Sequence, residues 1–195
     1  MTVDRDTDRA YFESIPWCLE LLQDPGFIPT PTFSRQYKES TEDALFAETL
    51  KTSDTIRACS SLYKRPDPSG IGQISELIML VSLGYRVNGY PNLCHGGIVG
   101  TLVDEAMGML LTVNKNLTSS PIRFATVTAY LHVTYLKPVR MFSLPYIKRP
   151  YKDRSQGLDE VLDFRIWTSR FTNISECGLS LQTVPSHESN FSRED

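Results

Sequence analysis

The sequence predicts an α+β domain in which an antiparallel sheet wraps around one long buried helix. Three observations lead there. Residues 55–64 and 76–83 read as two strands joined by the turn-forming run Pro66-Asp67-Pro68-Ser69-Gly70, which makes an antiparallel hairpin. Residues 94–113 are apolar nearly all round, as a buried helix is. Residues 123–138 alternate apolar with polar side chains, as a half-buried antiparallel strand does.

The elements follow in order. Residues 1–9 and 186–195 are polar and are expected to fray. Residues 14–22 read as a short helix, with Pro16 suited to its first turn and Asp24-Pro25-Gly26 ending it. Phe27-Ile28-Pro29-Thr30-Pro31 is an extended passage. A second helix is predicted over 41–50, with Ser40 as N-cap and Leu45, Phe46 and Leu50 on one face. Residues 1–54 thus form a helical extension, 55–185 the main domain and 186–195 a tail. The run Leu77–Val81 is apolar throughout. Gly96, Gly97, Gly100 and Gly108 weaken the long helix locally, each by ~1 kcal/mol relative to Ala, so they point to close backbone approach. In the strand, Val127, Ala129, Leu131, Val133 and Tyr135 alternate with Thr128, Tyr130, His132 and Thr134. Three weaker strand candidates follow at 139–147, 161–171 and 177–184.

Composition narrows the function. The chain has 20 Lys and Arg against 23 Asp and Glu, a net charge of -3, which speaks against a nucleic-acid-binding surface. The sequence shows no apolar run of the ~20 residues needed to span a bilayer. The start, Met1-Thr2-Val3-Asp4-Arg5-Asp6-Thr7-Asp8, has neither a signal-peptide core nor transit character, so a cytoplasmic protein is expected. Cys18, Cys59, Cys94 and Cys177 are irregularly spaced with no CxxC pair, which predicts free thiols and no zinc or other metal site.

The chemistry-bearing residues lie in two segments. His95-Gly96-Gly97 is followed, nine residues after His95, by Asp104 within Leu102-Val103-Asp104-Glu105-Ala106-Met107-Gly108. The strand ends in a Tyr-x-x-Pro pattern, Tyr135-Leu136-Lys137-Pro138. Together these segments resemble the hotdog-fold acyl-CoA thioesterase superfamily, in its PaaI-like and 4-hydroxybenzoyl-CoA thioesterase-like branches. Ile15-Pro16-Trp17-Cys18 looks like the corresponding region of fungal members. The resemblance is good over residues 76–138. It implies a hotdog fold, a homodimer or a tetramer made of two dimers, and hydrolysis of acyl-CoA or acyl-carrier-protein thioesters without a metal or redox cofactor. It also implies that the Gly96 N–H is the oxyanion donor, that Asp104 is the catalytic acid residue, and that Thr128 helps to position water.

These roles make physical sense. Amides at a helix start are unpaired and lie at the positive end of the dipole, and Gly96 and Gly97 leave room for a carbonyl to approach. An acid in an apolar helix is costly unless used or paired. Asp104 therefore acts as general base on water or attacks directly to give an anhydride, with a structural pairing as the alternative. Glu105, pointing ~100° away, is an interface or surface carboxylate and the understudy to Asp104. His95 either orients the substrate carbonyl or fixes the glycine turn. Cys94 beside His95 makes a poor nucleophile pair, because adjacent side chains diverge. Nine residues place Asp104 ~13 Å along the helix from His95 and on the opposite side. One helix cannot bring both to one carbonyl, but two helices related by a two-fold axis can, so the site is predicted to be shared between subunits.

Many members of the family carry Asn six residues before the His; here Gly89 stands there, and Asn88 or Asn92 would have to substitute. The stretch after Pro138 is polar and proline-rich where the family has regular strands. Its Lys148, Arg149, Lys152 and Arg154 suit CoA phosphates or a solvated loop. Alternation sets Thr128 in register with Tyr130 and His132, away from the helix, unless a bulge or the dimer seam turns it; His132 is expected at the surface or an interface. Ile98, Leu102, Met107 and Met109 are candidates for an acyl tunnel or for plain core. The competing functions are a tailoring or dehydratase-type reaction of secondary metabolism and a non-catalytic dimer that binds an acyl ligand.

Overall fold

A computed structural model describes residues 5–66, 74–117, 127–141, 161–168 and 177–184. It shows a mixed α+β architecture with one antiparallel sheet and one long helix. The sheet comprises β1 (Phe27–Thr30), β2 (Ile56–Lys64), β3 (Glu76–Leu83), β6 (Val161–Thr168) and β7 (Cys177–Val184), in spatial order β1-β2-β3-β6-β7. Every neighbouring pair is antiparallel. A separate hairpin, β4 (Asn88–Tyr90) and β5 (Leu93–Cys94), leads into the long helix α3 (Gly96–Leu117).

β3 is the central strand, and its unbroken apolar run has a simple cause: both faces of the sheet are covered. Leu77, Met79, Val81 and Leu83 face α3 and join Val99, Leu102, Ala106, Met109, Leu110 and Val113 in the main core. Ile78 and Leu80 point the other way, onto Phe12, Ile15, Cys18 and Leu22. Phe12 belongs to α1 (Arg5–Glu13), Cys18 and Leu22 belong to α2 (Pro16–Gln23), and Ile15 lies in the turn between the two helices, which cover the outer face.

Helix α1 corrects the expectation of a frayed start. Its Phe12 is fully buried, its Tyr11 hydroxyl bonds the Ser82 hydroxyl at 2.9 Å, and Asp8 accepts the Cys59 N–H at 3.2 Å. Arg35, buried in the loop after β1, reaches the same carboxylate through Nε at 3.2 Å and donates through Nη1 to the Ile56 carbonyl at 3.1 Å. The sequence hid this element because most of α1 is charged. The extended passage 27–31 supplies β1, an edge strand, where Pro29 is tolerated.

The helix expected over 41–50 is reduced to one π-turn, Leu45–Thr49. Thr41 and Asp43 adopt φ of 65° and 61°, a left-handed conformation that breaks a helix before it can start. Ser40 caps no helix; its Oγ accepts the Glu42 N–H at 3.4 Å. Lys38 pairs with Asp43 and Glu42 instead.

α3 runs 22 residues, longer than expected, and by length and composition it could cross a membrane. One face is instead packed against the sheet. At its far end Asn114 turns inward and mimics a strand neighbour: Oδ1 accepts the Ile74 N–H at 2.7 Å and Nδ2 donates to the Ile74 carbonyl at 3.0 Å. The expectation of an all-round buried helix is corrected on the other face. There Gly97 and Gly108 are exposed and Gly100, Thr101 and Asp104 half-exposed, and a methyl added at Gly108 would meet nothing within 4 Å.

Residues 127–136, expected as a strand, are irregular, with a bend at Ala129. Thr128 and Tyr135 bond α3 through their side chains, and among the described residues the segment pairs with no strand. Residues 139–141 close onto the hairpin: Cys94 N–H donates to the Val139 carbonyl at 3.0 Å and Met141 N–H to the Asn92 carbonyl at 2.8 Å. The turn at 66–70, the stretch 142–147 and the basic cluster from Lys148 to Arg154 lie outside the described residues, apart from Arg65 and Pro66 at the turn's edge.

Candidate active site

The site begins where the β4–β5 hairpin hands over to α3. Asn92 holds the hairpin turn with φ of 61°, a position Asn tolerates better than most residues. Its backbone carbonyl serves Met141, so this structure gives Asn92 a turn role on the exposed rim. Asn88 is closer in; its Oδ1 is buried and has no hydrogen-bond partner among the described residues.

His95 is the N-cap of α3. Its N–H donates to the Val87 carbonyl at 2.9 Å, and its own carbonyl accepts from Ile98 N–H at 2.9 Å and Val99 N–H at 3.2 Å. Its Nδ1 accepts the Gly97 N–H at 2.9 Å, a task more often done by Ser, Thr, Asp or Asn. Of the two roles considered for His95, this geometry is that of fixing the glycine turn. The imidazole is wedged between two glycines. A Cβ on Gly97 would lie 2.9 Å from Nδ1, and one on Gly89 would lie 3.1 Å from both the His95 Cα and Cδ2. Gly89 therefore provides the clearance that His95 needs.

The amides that open a helix need acceptors from outside its regular ladder or from the N-cap residue. Gly97, Ile98 and Val99 are served by His95. The Gly96 N–H donates to no group among the described residues, and Gly96 is exposed. A single amide is thus left at the positive end of a 22-residue helix.

Asp104 lies on the open face, half-buried, and its Oδ1 accepts the Thr128 hydroxyl proton at 2.6 Å. Thr128 reaches it within one chain because the backbone bends at Ala129; no dimer seam is required for this contact. Glu105, one residue on, points elsewhere. It is half-buried near Ser34, Lys38 and Asp43, and burial pushes its carboxyl pKa up; Ser34 and Lys38 act against the rise, while Asp43 and Asp104 add to it. Glu105 therefore belongs to the seam between α3 and the N-terminal loop, not to the Asp104 side.

Cys94 is no thiolate. Burial pushes its thiol up to about 12, its Sγ lies 3.7 Å from the His95 carbonyl, and Nδ1 of His95 is engaged with Gly97. Cys59, buried in the main core between the sheet and α3, is likewise pushed up to about 12. Cys18, Cys59 and Cys94 are free thiols. His132 is exposed and its Nε2 lies 3.4 Å from the Thr134 hydroxyl. Of the tunnel candidates, Leu102 and Met109 are buried core and Ile98 and Met107 sit at its edge.

Sequence reasoning missed one residue. Tyr135 lies across the start of α3, its hydroxyl donating to the Gly96 carbonyl at 2.9 Å. A Cβ on Gly96 would be 3.6 Å from the Tyr135 ring, and one on Gly100 3.4 Å from the hydroxyl. The signal was present: Gly96 and Gly100, one turn apart, leave a shallow groove that an aromatic ring fills.

Comparison with known proteins adds little identity. No protein-family model matches the chain, and no solved structure does. The chain is similar to verlamelin biosynthesis protein B of Lecanicillium sp, with 35% identity over 91 residues, covering 44% of this chain and 39% of that protein. The chain thus spans about two-fifths of the length of the curated relative it matches.

Proposed function

We propose that this protein has a hotdog fold and hydrolyses acyl thioesters, of CoA or of an acyl carrier protein, at a site shared between two copies of the chain. The observation that carries the reading is the Asp104 carboxylate, set on the open face of α3 and held through one oxygen by Thr128 at 2.6 Å. Thr128 can only donate to an oxygen that keeps its lone pair, which leaves Oδ2 to take a proton from water. The hydroxide equivalent then adds to the thioester carbonyl, the Gly96 N–H stabilises the oxyanion, and the thiolate leaves. Direct attack by Asp104 to give an anhydride uses the same residues.

The shared site follows from distance. Gly96 and Asp104 are eight residues apart, ~12 Å along one helix, too far for one carbonyl to meet both. Residues 127–136 support a second copy. They carry the alternation of a strand, have no strand neighbour among the described residues, and leave Val127, Tyr130 and Leu136 at 89%, 78% and 88% exposure. Apolar side chains so exposed beside a helix face rich in glycine suit a surface that another copy covers.

Similarity to a protein named for biosynthesis supports a carrier-bound substrate as much as free acyl-CoA, and favours, as a second reading, a tailoring reaction in biosynthesis. The test is thiol release from a panel of acyl-CoAs by wild type and Asp104→Asn. Release that falls at least ~100-fold in the variant, as expected on losing a general base, supports hydrolysis through Asp104. Equal rates remove Asp104 from the reaction, and no release from any acyl thioester by the folded wild type shifts the weight to the tailoring reading. Subunit mixing tests the sharing. Gly96→Pro deletes the N–H at a helix position that accepts proline. Mixed with Asp104→Asn, it should restore about a quarter of wild-type activity, since half the dimers then hold one intact site.

A further inference from the structure

We propose that Tyr135 is a positioning residue: together with His95 it clamps the Gly96–Gly97 peptide at both ends and so aims the neighbouring Gly96 N–H. The inference rests on the hydrolase reading for its catalytic consequence, but the clamp itself is a matter of geometry. The Gly96 carbonyl and the Gly97 N–H belong to the same peptide unit. The carbonyl accepts from the Tyr135 hydroxyl at 2.9 Å, and the N–H donates to His95 Nδ1 at 2.9 Å. A carbonyl has two lone pairs, so it can serve Tyr135 as well as the amide one turn further on. With both ends held, rotation of this peptide plane is blocked. The neighbouring plane, which carries the Gly96 N–H, then has little freedom at its Gly96 end.

The clamp is needed because of the residues involved. Two consecutive glycines at a helix start have the least intrinsic preference for helical backbone. Without external contacts the first turn would fray, and the Gly96 N–H would point in many directions. An oxyanion donor is effective only when it is held in place before the reaction. His95 removes Gly97 from competition as a donor, and Tyr135 keeps the ring and hydroxyl over Gly96 and Gly100.

The experiment compares wild type with Tyr135→Phe, which deletes the hydroxyl and keeps the ring. Amide proton NMR of the full chain reads the clamp directly. The Gly97 resonance should move and its hydrogen exchange speed up by roughly 3- to 10-fold, in line with losing one neutral hydrogen bond, while Ala106 and Met107 in mid-helix stay as they were. On the most active acyl thioester, kcat should fall by a similar roughly 3- to 10-fold factor with KM unchanged. Unaltered Gly97 exchange and shift would overturn the clamp. A rise in KM with kcat intact would also overturn the positioning role, since Tyr135 would then be a plain substrate contact. If the wild type hydrolyses nothing and the Gly97 effect is still seen, the hydrolase reading fails and the clamp stands.

Discussion

Removing the Thr128 hydroxyl should weaken catalysis through Asp104 and through nothing else. The Oγ1–Oδ1 contact at 2.6 Å is the only side-chain hydrogen bond to Asp104 among the described residues. A hydrogen bond to a charged group contributes about 1.5–3 kcal/mol when well buried. Here Thr128 is exposed and Asp104 half-exposed, so water replaces part of what is lost. The lower end applies, about 1.5 kcal/mol, which is roughly a tenfold change in rate. Thr128→Val should therefore lower kcat about tenfold, and Thr128→Ser, which keeps the hydroxyl on a freer side chain, by no more than about threefold. The assay is thiol release in a double-mutant cycle with Asp104→Asn. If Thr128 works by orienting the carboxylate, Thr128→Val adds little once the carboxylate is gone. An equal tenfold loss in the Asp104→Asn background would refute the coupling. So would an unchanged kcat in Thr128→Val alone.

Three other outcomes follow from the same contacts. Leu102 is fully buried between α3 and the sheet, so Leu102→Ala should cost about 2–5 kcal/mol and lower the Tm by several degrees in a thermal melt. Glu105 holds its proton to higher pH in the folded state than in the unfolded chain, because burial disfavours its charge. Its stabilising contribution is therefore full below the ordinary carboxylate range and is lost as pH rises through the raised value. Glu105→Gln, with no charge to bury, should accordingly gain in Tm relative to wild type as the pH rises from the ordinary carboxylate range, and a difference that does not change with pH would contradict the burial. With thiols pushed up to about 12, Cys59 and Cys94 should alkylate roughly 10³-fold more slowly at pH 8 than an ordinary free cysteine, which mass spectrometry of the native protein under iodoacetamide would show.

Legibility in the sequence tracked how local the deciding interaction was. β3 and β7 fall where the residues placed them, because each is a run bounded by turn residues. α3 was visible from its nearly continuous apolar character, and its extension past Val113 was not, since it depends on Asn114 finding the Ile74 backbone 40 residues away. α1 was invisible for a similar reason: its polar surface is tied down by Tyr11–Ser82 and by Asp8 with Arg35 and Cys59, contacts that no local pattern reports. The helix expected over 41–50 had the right apolar spacing, but the left-handed backbone at Thr41 and Asp43 outweighed it. In the candidate site, the positions of His95, Gly96, Asp104 and Thr128 were all named from sequence. What could not be read was which partners they would choose. Gly89 looked like the loss of a donor until the structure set it against the His95 ring, and Tyr135 stood only as an apolar position and the start of a Tyr-x-x-Pro pattern, with no role of its own.

The segment 127–136 links the two halves of the proposed chemistry. Thr128 near its beginning meets Asp104, and Tyr135 near its end meets Gly96, so the segment lies along the open face of α3 and touches both positions that a substrate would need. The helix fixes the separation of these two positions, and the segment fixes the orientation of each. A perfectly alternating strand could not do both, since positions seven apart face opposite ways; the bend at Ala129 reverses that parity and lets both side chains reach α3. The same bend leaves Tyr130 and Leu136 facing outward, where a second copy would cover them. Assembly and alignment of the catalytic groups would then depend on one stretch of chain. A disturbance of that stretch, such as Ala129→Pro, should impair Asp104 and Gly96 together, whereas a defect confined to the helix start should leave the Thr128–Asp104 contact intact.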